Sequence, residues 1–396
     1  MRFSSLVDRV HSPGVAAWDI HNAAMTAQAR GENVIVLSIG DPDFPTPEPI
    51  VRRTIAALEA GDTHYTHVPG RPALRQAIAD LHARRASRAV GADNVVVMAG
   101  AQNGLFGASM CLFEPGDEVI VLEPMYVTYE ATFEAAGAKI VPVPLTRAGF
   151  RLDPAVVRSA VTPRTKAIAF ATPSNPTGMV LSRSDLAEIA EIAVRHDLWV
   201  LADEVYEALV FEGQHVSMAA LPGMAERTVT VGSLSKSHAM TGWRLGWIIG
   251  PPALIAHLER LMMAMFYGLP GFIQDGGLEA IRRYDEITAE ARTVYRRRRD
   301  LLAEQLGAAP GVAVLSPDAG MFVLMDVRET GLSSLDFAWQ LYRATGVSVL
   351  DASAFGRCAE GHVRISFATN EAQLAEACSR ITGFLRQHGG SPQSVR

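Results

Sequence analysis

Between residues 94 and 249 the chain repeats one pattern, and that pattern leaves few folds open. Short apolar runs at 94–98, 118–122, 139–143, 167–171, 199–202, 228–231 and 245–249 are interleaved with helical periodicity at 102–113, 126–136, 154–161 and 183–196. The runs lack the in–out alternation of a half-solvated sheet. They predict an α/β fold with a mostly parallel sheet covered by helices on both faces. In such sheets ligands bind beyond the carboxyl ends of the strands. The residues there are Gly100-Ala-Gln102, Asn175, Asp203 and Ser233-Leu-Ser-Lys236.

The flanks read differently. Residues 1–30 form an arm with some helix, 34–39 is a short apolar run, and the proline-rich 40–47 must be an irregular turn. Helical periodicity follows at 48–60 and 71–84, with a polar, aromatic loop at 63–70 between them. After Pro251 the pattern turns helical. A break at 267–271 precedes a long helix to about residue 305, whose basic run 296–299 reads as a solvated face. Strands at 321–326 and 363–367 then mix with helices at 334–345 and 371–388, and the tail 389–396 reads as frayed. A chain of 396 residues exceeds one ordinary core. The expected division is a large domain at 45–285 and a smaller α+β domain made of 1–44 and 286–396.

Composition excludes several functions. The 36 basic and 42 acidic residues are interspersed, which gives a net charge of −6 and no nucleic-acid face. The 3 cysteines have no CxxC spacing, so neither a disulfide framework nor a metal site is expected, and a reducing cytoplasm fits. The N-terminus lacks the apolar core of a signal peptide, and no window of about 18 apolar residues predicts a membrane span.

Lys236 carries the sharpest chemical signal. It is the only lysine after Lys166, it is flanked by Ser233, Ser235 and Ser237, and Arg244 follows eight positions later. A lysine among hydroxyls with a nearby guanidinium suits an amine that binds a phosphorylated aldehyde as a Schiff base. A solvated loop lysine is the plain alternative. Asp203 directly follows an apolar run, so it needs a partner, and a structural ion pair would also satisfy it. Asn175-Pro-Thr-Gly178 reads as a turn on its own.

Taken together, Asn-Pro-Thr-Gly, Asp-Glu-x-Tyr and Ser-x-Ser-Lys-x-x-x-Met-Thr-Gly-Trp-Arg-x-Gly, in this order and spacing, resemble the class I/II aminotransferases. These are pyridoxal 5'-phosphate enzymes with the aspartate aminotransferase fold, fold type I. The resemblance runs from about residue 30 to 385. It implies that Lys236 forms the Schiff base and then moves a proton as general base and acid. It also implies that Asp203 pairs with the pyridine nitrogen, and that Tyr206 and Asn175 bond the cofactor's phenolate oxygen. Gly100, Ala101, Gln102, Ser233, Ser235 and Arg244 would cup the phosphate, while Tyr126 would stack on the ring. Arg364 would grip the substrate α-carboxylate, and Gly40 would close over the substrate. Tyr65 resembles a tyrosine that reaches the neighbouring subunit's phosphate, and the 267–271 break a loop at the same interface. A homodimer with shared active sites is implied.

For the substrate, 264–272 and 102–113 contain no arginine or lysine, which argues against a dicarboxylate donor. Trp18-Asp-Ile-His21, Ala99-Gly-Ala-Gln102, Glu123-Pro-Met-Tyr-Val-Thr-Tyr-Glu130, 233–243 with His238 and Phe272-Ile-Gln-Asp275 look like the arginine–pyruvate aminotransferases. A guanidinium-bearing donor would need an acid at the pocket mouth. Asp19 is the first candidate and Asp275 the second, each with a solvated surface acid as the plain alternative. The expected reaction is ping-pong transfer from an L-amino acid to pyruvate or 2-oxoglutarate. A C–S β-lyase would use the same lysine, aspartate and arginine. A regulator built on this fold would need an N-terminal DNA-binding domain, for which 1–33 leaves no room, and no GxGxxG supports a dehydrogenase.

Overall fold

The computed structural model describes residues 1–10, 17–86, 88–146 and 149–388; the tail 389–396 lies outside the described residues. Thirteen strands are described: β1 Ile35–Val36, β2 Val95–Met98, β3 Glu118–Glu123, β4 Lys139–Pro144, β5 Thr165–Ala171, β6 Trp199–Asp203, β7 Thr228–Ser233, β8 Gly246–Ile249, β9 Ala313–Leu315, β10 Phe322–Asp326, β11 Val347–Ser348, β12 Leu350–Asp351 and β13 His362–Ser366. A seven-stranded sheet takes the order β2-β8-β7-β6-β5-β3-β4. All neighbours are parallel except at β8, which runs antiparallel to both β2 and β7. Every residue of β2, β3, β7 and β8 is buried. That burial explains their unbroken apolar reading: helices cover both faces, and no position is left for water.

Local chemistry sets the covering helices. Ser182 caps Arg183–Arg195 by accepting from the Asp185 amide, and Asp185 returns the bond to the Ser182 amide. Asp153 caps Pro154–Ala160, with proline in the first turn where its missing N–H costs nothing. The helix expected over 126–136 begins only at Tyr129, so Tyr126 stands in the turn ahead of it. The helix expected to run on to about residue 305 is two, Gly271–Arg282 and Tyr284–Leu306.

The C-terminal third builds an antiparallel sheet of order β12-β13-β10-β9. Arg364 lies on its second strand, opposite Leu324 on one side and Leu350 on the other. The N-terminal segment joins this region rather than the large sheet. β1 pairs in parallel with β11, Ile35 opposite Val347, and the Ser366 amide donates to the Leu37 carbonyl. These bonds draw 38–41 to the carboxyl edge of the large sheet. Among the described residues no helix is long and apolar enough to cross a membrane.

The basic run is a correction to the solvated reading. Arg298 and Arg299 are buried. Arg298 forks onto Asp43 at 2.7 and 3.0 Å and has Glu371 at 3.6 Å, while Arg299 bonds Glu212 and Asp300. The Arg298 pairs tie the N-terminal turn to the C-terminal helices, which a polar helical face cannot reveal. Asp43→Ala should cost about 3 kcal/mol, because it strips the forked partner from a buried guanidinium. Arg297→Ala, on the exposed side of the same helix, should cost under about 1 kcal/mol. Urea-unfolding midpoints of the two variants test the contrast.

Candidate active site

A cavity of about 330 Å³ opens where the large sheet's carboxyl edge meets the antiparallel sheet. Most of the residues singled out from sequence line it: Gly40, Ala101, Gln102, Tyr126, Asn175, Asp203, Tyr206, Ser233, Ser235, Lys236, Arg244 and Arg364. Strand ends deliver them. Asp203 is the last residue of β6 rather than the first beyond it, and Ser233 closes β7 with Lys236 three positions on.

The Lys236 Nζ donates to the Gly40 carbonyl at 2.6 Å. Burial lowers its amine to about 8; Arg364 and Arg244 push the same way, and Asp41 opposes them. A substantial neutral fraction therefore exists near neutral pH, as a nucleophilic amine requires. Burial raises the Asp203 carboxyl to about 6, against the bonds it accepts from the Tyr129 hydroxyl at 2.9 Å and the Val205 amide at 3.2 Å. A buried acid with no cationic partner among the described residues is poised to meet a protonated ring nitrogen. Tyr129 was not foreseen as its holder.

The anion cup lies at the start of helix Ala101–Leu112. Gly100 precedes that helix at φ 83°, and a Cβ there would collide with the Arg244 guanidinium. Arg244 is itself at φ 53°, an uncommon backbone for a side-chain-bearing residue, and donates to the Thr241 carbonyl at 2.8 Å. Ser233 Oγ and Ser235 Oγ lie 2.9 Å apart, and the first-turn amides of the helix have no intrahelical acceptor. Gln102 faces away from the cup toward the stacking turn, accepting from Thr128 and donating to Thr132.

Arg364 is buried between two aromatic faces, 4.0 Å from the Phe322 centroid and 4.9 Å from that of Phe355. It donates to Asn175 Oδ1 at 3.1 Å and the Ser38 carbonyl at 2.7 Å, and its Nε has no partner. Burial lowers this guanidinium to about 10, which marks an unneutralised cation that calls for an anion.

Three sequence candidates fall elsewhere. Asp19 is exposed and off the cavity wall; its neighbour Trp18 lines the wall instead, one residue of helical rotation away. Asp275 is committed to Arg53 and Arg71 at 2.6 Å each, so it is no free acid. Tyr65 is 89% exposed and packs on Tyr267 in a separate groove. His238 is buried beside Ser237 and Tyr284, and burial lowers its imidazole to about 3, so it is a neutral core residue. Sequence reasoning passed over Asp41 and Thr241, both on the wall, because Gly-Asp-Pro-Asp reads simply as a turn. Behind the cavity, Glu204, Glu207 and His215 gather within 4.8 Å of one another. The carboxylates' demands are met internally, Glu204 by Ser217, the Met218 amide and a charge contact with His215, and Glu207 by Arg85 and Tyr284.

A low-pKa lysine, a buried acid, an anion cup and a buried arginine at one strand edge define an enzyme that works on amino acids through a phosphorylated pyridine aldehyde. The family profile described as "Aminotransferase class I and II" matches residues 32–381. An arginine–pyruvate transaminase of Pseudomonas aeruginosa is 52% identical over 96% of this chain and 97% of its own. Among solved structures, a mutant aspartate aminotransferase of Thermus thermophilus matches with TM-score 0.91 at 36% identity, covering 97% of this chain and 100% of that one. An aspartate aminotransferase of Thermotoga maritima gives TM-score 0.91 at 30% identity and the same coverage. The chain belongs to the class I and II aminotransferases. It has their fold type I architecture, and its cofactor is pyridoxal 5'-phosphate.

The residues fit that group, since Gly100 leaves space where a Cβ would fill the cup, and among the described residues Asp203 and Arg364 both lack charged partners. Gly100→Ala should weaken cofactor affinity at least about tenfold by displacing Arg244 or the loop, as measured by equilibrium dialysis. Tyr129→Phe removes a bond that favours ionised Asp203, so the carboxyl rises. The acid limb of the kcat/KM profile should then move to higher pH by up to about one unit.

Proposed function

We propose that the protein transfers the amino group of an L-amino acid, arginine among its donors, to pyruvate in a ping-pong cycle. The observation that carries the reading is Arg364: a buried guanidinium without an acid partner among the described residues, close to Lys236 on one cavity. The Pseudomonas aeruginosa relative, an arginine–pyruvate transaminase, supports arginine and pyruvate as the pair.

Each residue has a task under this reading. Arg364 seats the α-carboxylate and thereby selects amino acids over plain amines. Gly100, the main-chain amides of Ala101 and Gln102, Ser233, Ser235 and Arg244 anchor the phosphate, and Tyr126 covers the ring. Asp203 keeps the ring nitrogen protonated. Tyr206 and Asn175 bond the phenolate oxygen, and Gly40 leaves the donor room beside Lys236. When bound, the cofactor supplies an electron sink for the pair left on the donor Cα. Lys236 removes the Cα proton and returns it to the cofactor side, which needs an amine that is neutral near the working pH.

The domain division at 45–285 and 1–44 with 286–396 fits this reading, since the first unit would hold the cofactor and the second the α-carboxylate. A homodimer, with Tyr65 presented to the partner's phosphate and the 267–271 loop at the same interface, and a cytoplasmic location complete the proposal. The elimination reading uses the same residues and gains nothing from the relatives named above.

The test is a donor panel on the loaded enzyme. Absorbance of the bound cofactor should bleach with true donors and return on adding pyruvate. Release of pyruvate and ammonia without that return would overturn transfer in favour of elimination. Lys236→Ala should cut turnover by about a hundred- to ten-thousandfold while still binding cofactor in the cup.

A further inference from the structure

The cavity's charges can be matched to what they must hold. Five strongly charged side chains line it: Lys236, Arg244, Arg364, Asp203 and Asp41. Under the function proposed above, on which this inference rests, Arg244 answers the phosphate, Arg364 the α-carboxylate and Asp203 the ring nitrogen. Lys236 is the proton carrier. One charge is left over, the Asp41 carboxylate.

Its surroundings set it apart from its neighbour. Asp43, two residues on, is neutralised by the Arg298 fork. Asp41 makes no ion pair among the described residues; its Oδ1 accepts from the Thr241 hydroxyl at 2.7 Å, and the group is exposed while lining the cavity. It is therefore at the cavity's open side, fixed by one neutral donor. It immediately follows Gly40, whose carbonyl holds Lys236. Thr241 in turn gives its carbonyl to Arg244, so the bond to Asp41 ties the N-terminal turn to the segment that carries the cup. Trp18 lines the same cavity, and an indole is a ring on which a guanidinium packs well.

We propose that Asp41 is a specificity-determining residue: it receives the cationic end of the amino donor, a guanidinium or an ammonium, and disfavours donors with a distal carboxylate. A planar guanidinium can donate to the Asp41 carboxylate, whose Oδ1 is already oriented by the bond it accepts from Thr241. A second carboxylate in the same place would face Asp41 across the open side of the cavity. The role that Asp19 and Asp275 were expected to share thus falls to a residue in the proline-rich turn, with Trp18 beside it on the wall.

Asp41 also acts on Lys236 through space, favouring its charged form. That influence would be felt by every donor alike, which separates it from recognition of the donor's far end. The experiment compares loaded wild-type enzyme with Asp41→Asn, Asp41→Glu and Asp41→Lys. It reads kcat/KM for arginine, lysine, alanine and aspartate, together with calorimetric binding of 4-guanidinobutyrate and butyrate, which have no α-amine to transfer. The arginine-to-alanine ratio of kcat/KM should fall at least about tenfold in Asp41→Asn and be partly restored in Asp41→Glu. The aspartate-to-arginine ratio should rise in Asp41→Lys, and the preference for 4-guanidinobutyrate over butyrate should vanish in Asp41→Asn. If arginine and alanine decline in step, or the binding preference survives, Asp41 does not read the donor and the inference is overturned. A wild-type enzyme that converts neutral donors but discriminates against cationic ones would overturn it too. If the wild type transfers from no amino acid in the panel, the proposed function itself fails.

Discussion

A guanidinium buried without a counter-charge is the constraint around which this molecule is arranged. Arg364 is 1% exposed, yet no carboxylate pairs with it among the described residues. A neutral amide, one main-chain carbonyl and two phenyl faces support it, and one nitrogen remains unsatisfied. Placing a charge this way is costly, and in a finished core it would be replaced or paired. It persists because the strand that carries it is clamped on both sides, with Leu324 and Leu350 in register beside it. The Ser38 carbonyl arrives through the pairing of β1 with β11. The cost of burying the cation becomes affinity for whatever planar anion enters.

The same economy governs the opposite wall. Asp203 is buried at the end of β6 with a phenol and an amide for company, and its proton affinity rises accordingly. Next to it in sequence, Glu204 points to the other face of the sheet and meets His215, Ser217 and an amide. Burial alone would raise this acid, but His215 and those bonds hold it below the usual value. Two adjacent buried carboxylates are thus driven apart by one step of the strand's two-residue period. One is satisfied and structural, while the other is left wanting a cation. Adjacent acids with opposite fates are what a strand end can supply and a loop cannot.

This contrast also shows how far the sequence could be read. Lys236, Asp203, Asn175 and the Gly100 loop were legible because parallel strands end on one edge, so apolar runs located them. Arg364 and Gly40 came only from the resemblance, since nothing local marks a buried arginine. Tyr129 carries no signal of its own in the sequence, standing inside a helix expected from residue 126. The Arg298–Asp43 fork was hidden by distance, its partners standing 255 residues apart. His238, part of a stretch that resembles the arginine–pyruvate aminotransferases, is a neutral side chain packed on Tyr284. Local pattern finds strand ends well and long-range pairing poorly.

Asp19 and Asp41 follow from that limit. Both are exposed acids in N-terminal segments, and composition cannot rank them. What separates them is β1. By pairing with β11 it fixes the path of 37–41 over the antiparallel sheet, and it carries Gly40 and Asp41 to the same edge as Lys236. Asp19, at the start of its own helix, is held by no such bond and turns outward. Cofactor chemistry is therefore assigned to the large sheet, where local pattern is strong. Donor choice falls to a turn that two short strands, 312 positions apart in register, bring into place. A change of donor preference made in the 38–41 turn would therefore be felt at the cofactor side too, since the Gly40 carbonyl accepts from Lys236 and Asp41 is tied through Thr241 to Arg244.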